Sequence, residues 1–348
     1  MTMLPDTLIY VDGALRPAAG GATYDVFNPW TGDVVSHAAD ASAADMDEAI
    51  AAARRAFDTG NWATDSAARR AAVRKLCDLL LANRDRLAEL AVKEGGAALG
   101  GVSFAHVDAP LSFFDKLFDL FDALSWEVDM GEVESWGMKH HRTLVKEPAG
   151  VVGAIIPWNV PFYITVGKVI PALLAGCTVI LKPAPETPGI GVIVGELARE
   201  AGFPAGVFNV LTGKDPALLG EMLVTDSRVD VISFTGSTGV GRHIMERGGK
   251  TLKRLFLELG GKSATIVFED APDFAQAVGS SIVCFHAGQG CATLTRLLVP
   301  RSRYDEAVAV LEAAYAQYAA IWGDPEDPAN VMGPVISARQ RERGLGYI

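Results

Sequence analysis

Along the first third of the chain, apolar residues recur at helical spacing. Ser42 is placed to cap a helix running through DMDEAIAAARRAF, whose first turn carries acidic residues where the helix dipole favours negative charge. A second helical pattern covers residues 66–93. Val73, Leu76, Cys77, Leu80 and Leu87 share one stripe, with Leu81 and Leu90 at its edges. Glycines 95, 96, 100 and 101 end it, and a third amphipathic stretch covers residues 108–124.

From Arg142 the rhythm changes. Short β-branched runs, VVGAII (151–156), TVIL (178–181), VFNVL (207–211), VDVISF (229–234) and SATIVF (263–268), alternate with helical windows near 163–175, 188–201, 215–224 and 238–249. That alternation predicts an α/β fold with a parallel sheet covered by helices on both faces. Ligands of such sheets bind beyond the carboxyl ends of the strands, so the residues after each run are where chemistry is sought. There are no internal repeats and no low-complexity linkers.

Composition narrows the class. The 348 residues suit about two domains, and 49% hydrophobic with 21% charged residues excludes a disordered chain. A net charge of −11 argues against nucleic-acid partners and against an anionic membrane surface. Four scattered cysteines do not make a disulfide framework, and the start MTMLPDTLIY shows no secretory signal. The most membrane-like stretch, residues 160–181, holds Lys168 at its middle, which would cost about 2.5–3.5 kcal/mol at a bilayer centre, and Pro161 and Pro171 interrupt it. The expectation is a cytoplasmic protein with no membrane partner.

The turns after the strands carry the candidate chemistry. Pro157-Trp158-Asn159-Val160-Pro161 brackets an amide between prolines: Asn159 either holds backbone or donates to a developing oxyanion. Lys182, followed by Pro183-Ala184-Pro185-Glu186, either is solvated or reaches a ribose or phosphate. FTGSTGVG (234–241) can turn backbone N–H groups toward an anion at a helix start, although it is neither a GxGxxG fingerprint nor a P-loop. GGKS at 260–263 fails the P-loop pattern because Phe256 stands where its first glycine belongs. Glu258, beside Gly260-Gly261, is a solvated acid or a general base. Cys291, between Gly290 and Ala292, has room for a substrate carbon to approach sulfur, whereas Cys77, Cys177 and Cys284 read as apolar filler. A metal site from Cys284, His286 and Cys291 lacks a second pair to close it, so no metal is assigned. His140 and His141 read as a solvated edge, and no Ser–His–Asp arrangement has a supporting motif.

In chain order PWNVP, KPAPETP, FTGSTGVG, ELGGK, GQGC and GPVIS (333–337) resemble the NAD(P)-dependent aldehyde dehydrogenase superfamily from about Tyr10 onward. The resemblance implies a Rossmann-like cofactor domain over residues 1–256, in which 128–150 form a β-hairpin of the oligomerisation element. It assigns 257–348 to an incomplete α/β catalytic domain. It makes Cys291 the nucleophile, with Asn159 and the Cys291 N–H as oxyanion donors. Glu258 becomes the base that activates the deacylating water, and Lys168 a proton relay. NAD or NADP would be held by Ile156, Pro157, Trp158, Lys182, Ala184, Pro185, Gly236, Ser237, Val240 and Leu259. The three reacting groups are expected on separate loops, the substrate is a small aldehyde, and a homodimer or homotetramer is implied. Glu258 separates the chain from relatives that pass the thioester to coenzyme A. Phe162, Tyr163 and Phe285 could line a substrate tunnel.

Three features depart from the family pattern. Pro185 replaces a glutamate common in NAD-preferring relatives, and His286 replaces a common asparagine. Relatives also continue well beyond Ile348, so a truncated member is expected; a chain that binds nucleotide without turnover, or an acylating enzyme, is the alternative reading.

Overall fold

The computed structural model describes residues 3–281 and 285–348. An antiparallel hairpin, β1 (Ile9–Val11) and β2 (Ala14–Arg16), is followed by a second antiparallel pair, β3 (Thr23–Phe27) and β4 (Val34–Ala39). Helix α1 (Ala43–Thr59) starts with a capping box in which the Ser42 side chain accepts the Asp45 N–H and Asp45 accepts the Ser42 N–H at 2.9 Å. Arg16 donates to the same carboxylate at 2.8 Å, tying β2 to the helix.

The single helix expected over 66–93 is two, α2 (Ser66–Ala82) and α3 (Arg84–Lys93). Asn83 leaves helical geometry at ψ 21°, and its side chain donates to the Leu79 carbonyl at 2.9 Å, competing with the helix ladder. The predicted stripe is nonetheless one buried face, with Val73, Leu76, Cys77 and Leu87 all at 0% exposure. The third stretch likewise divides, into α4 (Asp108–Ser112) and α5 (Phe114–Asp122). Strands β5 (Glu127–Ser135) and β6 (Met138–Val145) then pair as an exposed antiparallel hairpin.

The βα alternation follows as the pattern predicts. In chain order it runs β7 (Val151–Ile155), α6 (Pro161–Leu174), β8 (Thr178–Lys182), α7 (Pro188–Glu200), β9 (Phe208–Val210), α8 (Pro216–Thr225), β10 (Val231–Gly236), α9 (Thr238–Gly248) and β11 (Arg254–Leu259). The seven-stranded sheet has the order β11-β10-β7-β8-β9-β1-β2, parallel from β11 to β9, with the first hairpin antiparallel at one edge. Apolar cores lie on both faces. At the start of β7 the Asp230 carboxylate accepts the Val151 N–H at 2.7 Å and pairs with Arg54 at 2.8 Å. Gly150, at φ 118°, leaves the space this carboxylate occupies; a Cβ there would overlap it.

One expectation about the sheet is overturned. SATIVF does not join it, because RLFLEL already fills the edge beside β10 in register from Val231↔Arg254 to Gly236↔Leu259. Residues 263–268 instead contribute β12 (Ala264–Ile266), which pairs in parallel with β13 (Arg296–Leu298) in a separate two-stranded sheet. The expected division after residue 256 falls inside β11. Helices α10 (Phe274–Gly279) and α11 (Tyr304–Ala320) pack on this small sheet around Val267, Phe274, Val278 and Ala307, and α12 (Ala338–Leu345) follows the GPVIS segment.

Candidate active site

Asn159 stands in the five-residue link between β7 and α6, whose first residue is Pro161, a position where a missing N–H costs nothing. Its Nδ2 donates to the Gln289 carbonyl at 2.6 Å. The Gln289 side chain in turn donates to the His286 carbonyl at 3.0 Å and to Pro334 O at 3.4 Å, and accepts the Ile336 N–H at 3.0 Å. One glutamine therefore fastens the GQGC loop to the GPVIS segment while its own backbone receives Asn159.

The loop reaches this position through three successive left-handed residues, His286 at φ 50°, Ala287 at 53° and Gly288 at 75°, an arrangement a non-glycine residue adopts at a cost. His286 is buried edge-to-face against His106, with ring centroids 4.8 Å apart; burial pulls its imidazole down to about 4, and that of His106 well below the usual range. Beyond Gln289, the Gly290 carbonyl accepts the Thr293 hydroxyl at 2.6 Å, closing a tight turn. Cys291 sits half-buried in that turn, whereas Cys77 and Cys177 are buried, and burial pushes the Cys77 thiol up to about 12. Cys284 and the Phe285 side chain lie outside the described residues.

Glu258 and Lys168 come together on the sheet. Glu258 lies within β11, not on the loop expected for it, because RLFLEL continues the ladder with β10 to Leu259. The register pairs Thr235 with Glu258 and Ser233 with Phe256, so these side chains share a face. Lys168, from α6, donates to the Ser233 hydroxyl on that face at 2.9 Å. Burial brings the Lys168 ammonium down to about 8, while the Glu258 carboxylate pulls it back up. Glu258 itself is open to solvent.

Beyond the carboxyl ends of β7, β8 and β10 lies a cavity of about 640 Å³. Ile156, Trp158, Lys182, Ala184, Pro185 and Val240 line it, joined by Glu186, Glu221, His243 and Arg339. Lys182 is buried, gives one N–H to the Pro183 carbonyl at 3.1 Å, and is brought down by burial to about 8. The size and mostly aliphatic lining with few polar groups suit a nucleotide half. Among the described residues, Pro157, Gly236, Ser237 and Leu259 lie outside this lining. Gly236 and Ser237 instead form the short link from β10 into α9, where Ser237 caps the helix through the Val240 N–H at 3.4 Å. Leu259 packs against Gly241. Of the aromatic tunnel candidates, Phe162 is core and Tyr163 stacks edge-on to Phe113 at the surface.

Beyond Gln289, the residues His106, Ser233 and Arg339 carry no local sequence signature of a role here. Only Gln289 lay inside a recognisable motif, and its three tethers run to backbone atoms that no residue pattern reveals. Among the described residues, no group of three or more His, Cys, Asp or Glu side chains is arranged to hold a metal ion, and no helix is long and apolar enough to cross a membrane.

A parallel sheet with a cavity of about 640 Å³ beyond the carboxyl ends of its strands is the arrangement in which α/β enzymes hold nucleotides. The profile of the aldehyde dehydrogenase family matches residues 16–348. The chain is 39% identical over 349 residues to mouse cytosolic aldehyde dehydrogenase 1, covering 98% of this chain and 68% of that protein. It is 36% identical over 359 residues to the NADP/NAD-dependent aldehyde dehydrogenase PuuC of Escherichia coli, covering 100% and 70%. A crystal structure of Staphylococcus aureus betaine aldehyde dehydrogenase in complex with NAD+ superposes with a TM-score of 0.90 at 34% identity, over 98% of this chain and 67% of that one. The chain belongs to the aldehyde dehydrogenase family.

Proposed function

We propose that this protein oxidises an aldehyde to a carboxylic acid with NAD+ or NADP+, through covalent capture on Cys291. The observation that carries the reading is the Asn159–Gln289 hydrogen bond, which seats an amide beside the loop that holds the cysteine. The Cys291 thiolate adds to the aldehyde carbon, and the carbonyl oxygen becomes an alkoxide. One Asn159 N–H is engaged by Gln289; the other, with the Cys291 N–H, donates to that alkoxide, a contribution worth about 10²–10³ in rate. When bound, the nicotinamide supplies the acceptor for the hydride whose loss leaves a thioester on sulfur. Glu258, open to water, takes a proton from the water that attacks this thioester, and the carboxylic acid leaves as the thiolate is restored. Lys168, poised near neutral and within the field of Glu258, relays that proton.

Lys182 and the start of α9 fit the dinucleotide: a buried ammonium inside the cavity and a capped helix N-terminus beside it are donors suited to ribose and phosphate oxygens. In this reading residues 1–256 form the cofactor domain and 257–348 belong to the catalytic domain. The β5–β6 hairpin, which exposes Met130, Trp136 and Met138, is a contact between copies in a homodimer or homotetramer.

Stopped-flow reduction of NAD+ and NADP+ with a panel of aldehydes tests the mechanism. Cys291→Ser should abolish turnover. Glu258→Gln should keep the first burst of reduced cofactor and slow the steady state, without any need for coenzyme A. Retained turnover in the serine variant, or loss of the burst in the glutamine variant, overturns it.

A further inference from the structure

The charged groups lining the nucleotide cavity are unequally committed. Glu221 is saturated: His243 Nε2 and Arg247 Nε lie 2.6 Å and 2.7 Å from its carboxylate oxygens, and these contacts hold the group ionised. Lys182 is buried and fixed at the end of β8. Arg339, in the first turn of α12, is different. Its side chain is 76% exposed, and its contact with the Glu186 carboxylate is a single one at 3.5 Å. Such a stretched pair, with its arginine exposed, gives way readily. Pro185, next to Glu186, places no charge at the rim.

We infer that Arg339 is a specificity-determining residue that leaves Glu186 to grip a 2′-phosphate on the adenosine ribose, so that this cavity accepts NADP+ as well as NAD+. The inference rests on the proposed nucleotide role of the cavity. A guanidinium presents paired N–H donors matched to phosphate oxygens, and the Arg339–phosphate contact is charge-assisted where the Arg339–Glu186 contact is stretched. Lys182, which also lines the cavity, supplies a second and buried cation. With NAD+, Glu186 keeps Arg339, and the ribose hydroxyl meets no competing charge.

Calorimetric titration with 2′,5′-ADP and with 5′-ADP separates the claims, since neither probe requires turnover. The wild type should bind both. Arg339→Ala should weaken 2′,5′-ADP at least about tenfold and leave 5′-ADP within about twofold, with Arg339→Lys retaining part of the difference. Glu186→Gln, which frees Arg339, should tighten 2′,5′-ADP selectively. Failure of the wild type to bind 5′-ADP would refute the nucleotide cavity itself. Normal 5′-ADP binding with no selective loss in Arg339→Ala would refute the role of Arg339 alone.

Discussion

The Asn159 side-chain amide donates to the backbone carbonyl of Gln289 at 2.6 Å, joining the turn after β7 to the residue two positions before Cys291. An amide on a βα link and a cysteine on a loop of left-handed residues are thereby held in one relationship, and Gln289 is the joint.

Gln289→Ala removes three side-chain hydrogen bonds to backbone at once, worth about 0.5–1.5 kcal/mol each. Stability should fall by about 1.5–4.5 kcal/mol in urea denaturation, and Cys291 should be alkylated faster by iodoacetamide as its loop loosens. Asn159→Ala should act differently. It should cut kcat/KM about 10²–10³-fold while leaving alkylation close to wild type, because alkylation forms no alkoxide. Equal effects of both variants on alkylation would mean that Asn159 acts by holding the loop.

Lys168 sets a pH signature. Its ammonium is disfavoured in the folded protein, at about 8 against 10.5 for an ordinary lysine, so the penalty is complete below about 8 and is relieved as pH rises toward 10.5. Stability should therefore gain over that window in the wild type, and Lys168→Met should lose this residue's share of the gain. Removing the carboxylate in Glu258→Gln takes away the charge that favours the ammonium, so the Lys168 titration should move below 8. Following the Lys168 Cε resonance against pH measures it; an unmoved titration would separate Lys168 from Glu258.

Much of this arrangement was legible in residues that repeat or punctuate. The stripe on α2 and α3, the Ser42 cap and four of the βα windows follow from periodicity and capping, because burial of one face and satisfaction of helix ends are local demands. The strand β11 was not legible: its alternation buries Leu255, Leu257 and Leu259 only partly, and it earns its place through the ladder with β10, a non-local pairing. Asn83 breaks a helix that its neighbours favour, by a side-chain bond to Leu79 that spacing does not show. Residue types single out Asn159, Glu258 and Cys291 as candidates, but the Gln289 tethers and the Ser233 anchor of Lys168 arise only when distant segments meet.

Gly241→Ala probes how β11 is seated. A Cβ at this position would stand 2.7 Å from Leu259 Cδ2, so either the Leu259 side chain changes rotamer or α9 and the end of β11 move apart. Overpacking of this kind costs about 1–3 kcal/mol. Because Leu259 adjoins Glu258, steady turnover should also slow, while the first burst of reduced cofactor persists. Unchanged melting temperature and turnover would show that the contact yields without consequence.

His286 and His106 make the protein sensitive to acid. Both imidazoles are held neutral by burial, His286 at about 4, whereas in the unfolded chain each takes a proton near 6.5. The unfolded state then binds more protons as pH falls, so stability should drop below about 6.5. Each imidazole contributes a slope approaching about 1.4 kcal/mol per pH unit, and the loss from His286 is complete once pH has passed its folded value. His286→Asn is the informative variant: asparagine tolerates the φ of 50° that the turn requires and carries no titrating group. Urea midpoints at pH 7.5, 6 and 5 should fall steeply in the wild type and less steeply in the variant. Parallel falls in the two proteins would place the acid sensitivity elsewhere than at His286.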